Sequence, residues 1–174
     1  MKMKAILTLA FFCAATTLFA QSDYKQSIGL RLGNGYYDVA SAAYKTFLND
    51  ASALEFNLGI RPDKIRGGGP KWTSVSAAGT YQHHFDIKPV AGLKWFVGGG
   101  VVLSNTFSND DHYTGFGVGL YPTGGADYKF KKIPLAVSAD VRPTFHIVEP
   151  FDDNIYNKYN NFYPNVGVSA RYTF

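Results

Sequence analysis

Cysteine is almost missing from this chain: Cys13 is the only one in 174 residues, which rules out an internal disulfide framework. Long stretches of helical period are missing as well, so a helical bundle is excluded as the main architecture. No run of Lys or Arg forms a basic patch, and nothing points to a nucleic-acid partner. Nor is there a linker, a low-complexity tract or a repeat of fixed spacing, and the length fits one domain.

What is present starts with Met1 to Ala20, "MKMKAILTLAFFCAATTLFA", where Lys2 and Lys4 precede an apolar run that ends in small Ala20 before polar "QSDYK". That layout predicts a cleavable secretory signal over 1–20 and a mature domain over 21–174, although Leu18 is large for its place before the cut. The apolar run is too short and wrongly flanked for a spanning helix. Cys13 follows Phe11 and Phe12 rather than small residues, which does not suit a lipid-attachment cysteine. After cleavage no cysteine remains. Removing Lys2 and Lys4 takes Lys+Arg from 17 to 15 against 13 Asp+Glu, a net charge of +2.

Composition favours strands, with 18 Gly, 14 Phe and 12 Tyr, and every patterned segment alternates with period two. Eight candidate strands follow. The first, 25–33, sets Ile28, Leu30 and Leu32 against Ser27, Gly29 and Arg31. The second, 40–48, alternates poorly; Ala42, Tyr44 and Leu48 are read as outward and Lys45 as inward. The third, 53–61, sets Leu54, Phe56, Leu58 and Ile60 against Glu55, Asn57, Gly59 and Arg61. The fourth, 72–85, sets Val75, Ala77, Gly79, Tyr81 and Phe85 against Ser74, Ser76, Ala78, Thr80, Gln82 and His84. The fifth, 93–103, sets Leu93, Trp95, Val97, Gly99, Val101 and Leu103 against Lys94, Gly98 and Gly100. The sixth, 115–130, sets Phe116, Val118, Leu120, Ala126, Tyr128 and Phe130 against Gly117, Gly119, Thr123, Asp127 and Lys129, with a bulge or kink expected at Pro122. The seventh, 135–147, sets Leu135, Val137, Ala139, Val141, Phe145 and Ile147 against Ser138, Asp140, Arg142, Thr144 and His146. The eighth, 165–174, sets Val166, Val168, Ala170, Tyr172 and Phe174 against Gly167, Ser169, Arg171 and Thr173.

The polar rows decide which face is which. A row that meets bulk water should be long and charged, yet these are mostly Gly, Ser, Ala and Thr, sizes that suit a crowded interior. The apolar rows carry aromatics near strand ends (Phe85, Trp95, Tyr128, Phe130, Tyr172, Phe174), as at a membrane boundary. The apolar rows therefore face lipid and Arg171 points into a barrel. The connections agree: read as 34–39, 49–52, 62–71, 86–92, 104–114, 131–134 and 149–162, they alternate between mostly long and mostly short. This is the pattern of outer-membrane barrels, whose even strand count returns both termini to one side. A closed barrel also leaves no strand edge unpaired in hydrocarbon.

The stretches "SIGLRLG", "YKTFLNDASALEFNLGIR", "LKWFVGGG", "KKIPLAVSADVRPTF" and "GVSARYTF" cover most of the mature chain. They resemble the small eight-stranded outer-membrane barrels of the OmpA transmembrane-domain and OmpX type, and more closely the outer-membrane β-barrel proteins common in Bacteroidetes. The resemblance implies an all-β, eight-stranded antiparallel up-and-down transmembrane barrel in a Gram-negative outer membrane, with periplasmic termini and extracellular long loops. It implies lipid bilayer and lipopolysaccharide as surroundings, and recognition of the final strand, ending at Phe174, by the barrel assembly machinery. It does not fix a function.

Ten charges point inward by this reading: Arg31, Lys45, Glu55, Arg61, Lys94, Asp127, Lys129, Asp140, Arg142 and Arg171. Eight strands enclose a lumen just wide enough for side chains, so these charges must pair or stay hydrated. Asp140 with Arg171, and Glu55 with nearby bases, are the expected pairs. The expectation is a plugged barrel, with a narrow anion-preferring channel as a lesser reading.

A lipid-modifying enzyme would use His near the outer rim with a hydroxyl and a carboxylate. His112 beside Asp110 and Asp111, and His146, are the candidates; His83 and His84 fall at the short-turn end, and no Ser sits in a nucleophile setting. "GGGP", Gly67 to Pro70, has neither the Lys-Ser/Thr nor the helix of a phosphate loop. "DDNIYNKYNNFY", with Tyr156, Tyr159, Phe162 and Tyr163, suits sugar or Ca²⁺ contact or a plain boundary loop. The sequence thus assigns no catalytic, cofactor-binding or metal residue and reads as a structural or surface-interaction barrel whose long loops do any binding. The rival reading, a soluble secreted barrel holding a small apolar ligand, would reverse every strand.

Overall fold

The computed structural model describes residues 24–64, 71–110, 114–149 and 162–174. The signal segment, Cys13, Gly67 to Pro70, Asp111, His112, Tyr156 and Tyr159 lie outside the described residues. Period-two sequence becomes strand throughout: β1 (Gln26–Gly33), β2 (Ala40–Phe47), β3 (Ser52–Lys64), β4 (Lys71–Asp86), β5 (Leu93–Ser108), β6 (Gly115–Lys129), β7 (Leu135–Val141), β8 (Thr144–Val148), β9 (Phe162–Tyr163) and β10 (Val166–Thr173). β7 and β8 form one stave interrupted at Arg142 and Pro143, and β9 and β10 form another interrupted at Pro164 and Asn165, which leaves eight staves.

Each stave pairs antiparallel with its chain neighbours, and the first meets the last: β1 lies on β10 from Ser27↔Thr173 to Gly33↔Gly167. The result is a closed up-and-down barrel, which satisfies the backbone without an open sheet edge.

The faces fall as the alternation dictates. Leu30, Leu58 and Val168 are 64 %, 69 % and 58 % exposed, whereas Lys45 and Arg171 are 0 % exposed. A soluble domain does not display a continuous apolar girdle of this kind, so the outward surface is lipid-facing. The reading with apolar rows lining a ligand cavity is thereby overturned. At the end holding both termini, outward aromatics form a belt: Phe85 stacks on Trp95 with centroids 4.4 Å apart, and Tyr128 meets Phe130 edge-on at 4.8 Å. Tyr172 and Phe174 continue it at 6.3 Å, the interfacial placement that amphipathic rings prefer.

Two expectations need correction. First, the connections at the far end are shorter than read: 62–71 contracts to 65–70, and 104–114 to 109–114. Pro62 to Lys64 pair with Thr73 to Lys71, and Ser104 to Ser108 pair with Ser76 to Trp72. These polar segments read as loop because they do not alternate apolar with polar, but a ladder that rises out of the membrane needs no apolar face. Second, β6 does not kink at Pro122, where it pairs with β5 in unbroken register through Gly99↔Pro122. On its other side, Gly124↔Val141 and Leu120↔Phe145 share one register, which sets Pro122 opposite Pro143. Neither proline has an N–H, so the ladder lapses between β7 and β8, and its register shifts at Val118/Gly119.

At the terminus-bearing end the connections are short turns, 48–51, 87–92 and 130–134. The 87–92 turn closes through Gly92, whose φ of 87° is left-handed backbone that favours glycine.

Candidate functional site: the crossed lumen

Inward positions on successive staves bring seven buried charges together: Arg31, Lys45, Arg142 and Arg171 with Glu55, Asp127 and Asp140, each at most 4 % exposed. Arg142 Nη2 donates to Glu55 Oε1 at 2.7 Å and its Nε donates to Asp140 Oδ1 at 2.9 Å. Lys45 Nζ lies 2.9 Å from Asp127 Oδ2 and 3.4 Å from Glu55 Oε2. Arg31 grips Asp140 at 2.7 Å, and Arg171 reaches Asp127 at 3.1 Å. Asn57, Gln82, Ser138 and Asn165 supply further neutral partners to Arg142, Glu55, Arg171 and Arg31.

Stave position gives these pairs their meaning. Glu55 is on the third stave and Arg142 on the seventh; Lys45 is on the second and Asp127 on the sixth. Staves four places apart in a ring of eight are diametrically opposed, so both pairs are crossbars. Ion pairs held away from water repay their desolvation only when several hydrogen bonds satisfy each group, and here every carboxylate meets at least two cations. Glu55 pairs with its basic neighbours as expected. Asp140 does not pair with Arg171: it takes Arg31 and Arg142, while Arg171 turns to Asp127 and stands 3.7 Å from Glu55. β10 and β7 are neighbours with Arg171 opposite Ala136 and Asp140 opposite Gly167, a register that carries the two charges to different heights.

Above the crossbars the segment 34–39 folds into the barrel mouth, which alternation could not reveal because the segment has none. Tyr37 is 2 % exposed, packs on Val102 and Tyr121, and shares a 2.7 Å hydrogen bond with His146 Nδ1. Its burial raises the pKa of its hydroxyl above the ordinary tyrosine value. Inward Gly117 leaves room for it: a Cβ there would come within 2.8 Å of the Tyr37 hydroxyl. Arg61 donates to the Gly35 carbonyl and pairs with Asp63 at 2.9 Å, so it holds this segment down from the rim rather than joining the network. Lys94 likewise turns to Asp86 at 3.4 Å, and Lys129 Nζ donates to the carbonyls of Phe130 and Ile133.

Below the crossbars Tyr24 donates to Asp127 at 3.1 Å, and Phe47, His84 and Phe96 pack beneath Lys45. A crevice of about 10 Å³ remains between Tyr24, Phe47, His84, Lys94, Asp127 and Lys129, room for one water.

The histidines divide as their parity demands. His84 lies inside at the turn end, and His83 lies outside, 3.3 Å from Ser52 Oγ. His146 has the Tyr37 hydroxyl in reach, but none of the described residues brings it a carboxylate. Among the described residues no group of three His, Cys, Asp or Glu side chains is placed to hold a metal.

A closed ring of eight staves, greasy outside and crossed by ion pairs inside, defines a small transmembrane β-barrel. No family model matches the chain, and no curated protein does. Among solved structures it is similar to the crystal structure of Neisserial surface protein A, at 14 % identity and a TM-score of 0.50, covering 87 % of this chain and 96 % of that one. The N-terminal β-barrel domain of Pseudomonas aeruginosa OprF matches at 16 % identity and a TM-score of 0.48, covering 84 % and 96 %. CarO of Acinetobacter baumannii matches at 11 % identity and 0.42, covering 87 % and 98 %. These likenesses concern the fold.

Proposed function

We propose that the protein is an integral outer-membrane barrel with a structural or surface-interaction role, non-catalytic, whose lumen is a brace rather than a passage. The observation that carries this reading is the pair of crossbars, Arg142 to Glu55 and Lys45 to Asp127, which occupy the bore from wall to wall. In this reading the terminus-bearing end is periplasmic and the end bearing 34–39 and 149–161 is extracellular, where the loops meet lipopolysaccharide and any surface ligand. β10, with Tyr172 and Phe174 outward, is the element offered to the barrel assembly machinery. The resemblance to Bacteroidetes barrels belongs to the same proposal and rests on the stretches quoted above.

The second reading, a narrow anion-preferring channel, draws on the excess of cations over anions in the crossed network, where Arg31, Lys45, Arg142 and Arg171 face Glu55, Asp127 and Asp140. Two measurements separate them. Protein extracted from washed outer membranes is run unboiled and boiled, and the purified protein is inserted in planar bilayers. A heat-dependent mobility shift with no current above the lipid baseline supports the brace. Steady anion-selective current overturns it, and recovery in the soluble fraction removes the membrane assignment itself.

A further inference from the structure

We infer that the turns 87–92 and 130–134 together form a docking site for the headgroups of anionic phospholipids at the terminus-bearing end of the barrel. The inference rests on the membrane reading above and names the lipid that this face selects.

The two turns lie far apart in sequence and side by side in space: Leu93 pairs with Tyr128, and the Lys129 N–H donates to the Gly92 carbonyl at 2.8 Å. Between them they gather Lys88, Lys94, Lys129, Lys131 and Lys132, of which Lys88, Lys131 and Lys132 are exposed. From Tyr128 to Leu135 there is no acidic residue. The one exposed acid nearby, Asp86, pairs with Lys94, and Asp127 is buried against Lys45 and Arg171. The third turn, 48–51, carries Asp50 and no lysine, and on that side of the rim Lys25, just before β1, stands as a single exposed lysine, so the lysines cluster on the two turns 87–92 and 130–134.

An independent observation gives the partner its apolar part. Val90 and Ile133, near the tips of these same turns, are 47 % and 48 % exposed. Directly above them stand the outward pairs Phe85 with Trp95 and Tyr128 with Phe130. Cations at the water side, aliphatic tips beside them and an aromatic belt one step deeper match an amphiphile with an anionic head and an acyl body. A free anion would use the lysines alone and leave Val90 and Ile133 unaccounted for.

The two tryptophans of the chain, Trp72 and Trp95, supply the test because they sit at opposite ends of the barrel. The full chain with Trp72→Phe is refolded in phosphatidylcholine vesicles that contain either brominated phosphatidylglycerol or brominated phosphatidylcholine, and Trp95 fluorescence is read. At equal mole fraction the brominated anionic lipid is expected to associate at least about threefold more strongly than the zwitterionic one, given the attraction of lysines at an anionic surface. The preference should vanish in K131Q/K132Q, a surface change that keeps the heat-modifiable mobility, and should be absent for Trp72 in the W95F chain. Equal quenching of Trp95 by both lipids overturns the inference, as does loss of the preference on adding millimolar inorganic phosphate at constant ionic strength. If neither brominated lipid quenches either tryptophan, it is the membrane reading that has failed.

Discussion

Arg142 and Glu55 meet at 2.7 Å across the bore, although 87 residues separate them in the chain and they stand on opposed staves. Lys45 and Arg171 also approach Glu55, at 3.4 and 3.7 Å, so one carboxylate holds three cations from three different walls. Glu55→Ala takes a shared carboxylate from all three, leaving Arg142 on Asp140 and both Lys45 and Arg171 on Asp127, and removal of one partner from a buried ion network costs about 3–5 kcal/mol. Arg142→Met leaves Glu55 with two cations and should cost less. The double variant should fall short of the sum of the singles, because the two residues share one interaction. Urea unfolding of the refolded barrel in vesicles, followed by tryptophan fluorescence, measures all three; simple additivity would mean that the crossbar contributes nothing.

Gly167 makes room for the Arg31 guanidinium, since a Cβ there would lie 2.4 Å from Cζ. Gly167→Val should push Arg31 off Asp140 and destabilise by about 1–3 kcal/mol. Gly79 faces outward with its nearest neighbour, Phe56, 4.0 Å from a built Cβ, so Gly79→Ala should change stability by less than about 0.5 kcal/mol. The same unfolding experiment compares them, and equal effects would contradict the assignment of inside and outside.

Tyr37 closes the mouth but not the bore. Tyr37→Ala removes a buried ring, a loss of about 3 kcal/mol, and Tyr37→Phe removes only the hydrogen bond to His146, worth about 1 kcal/mol. Neither should raise planar-bilayer current above baseline, because Arg142, Glu55, Lys45 and Asp127 lie further in. Current in the Tyr37→Ala protein would show that the mouth segment, rather than the crossbars, is what closes the barrel.

Parity carried nearly all of the fold. Every inward and outward assignment on the third, fifth and eighth strands holds, because a one-residue slip would put Leu58 in the lumen and Glu55 in lipid. Even the weak second strand falls into place with Lys45 inward. Parity says nothing of height, however, and ion-pair partners depend on height: Arg171 misses Asp140 and finds Asp127 because of the register between β10 and β7. Tyr37 was illegible for another reason. It sits in a connection with no period, and the trace it leaves is a single inward glycine, Gly117, where a Cβ would meet its ring. The basic rim was hidden likewise, since two turns about forty residues apart form it.

Leu58 offers the sharpest trial of the lipid-facing assignment because lipid and water predict effects of different size. It is 69 % exposed and is flanked on its stave neighbours by Ala42 and Ala77, residues too short to shelter it. On a water-facing surface Leu58→Arg would be nearly neutral, as surface substitutions are, within about 0.5 kcal/mol. In hydrocarbon the guanidinium loses its water and has no carboxylate beside it; an arginine at the midplane of a transmembrane barrel costs about 2–4 kcal/mol. The substitution should therefore destabilise the barrel in vesicles by that amount. In short-chain detergent micelles, where water reaches the charge more easily, the loss should be smaller. A neutral result in vesicles would mean that Leu58 does not face lipid, and the outward apolar girdle would need another covering.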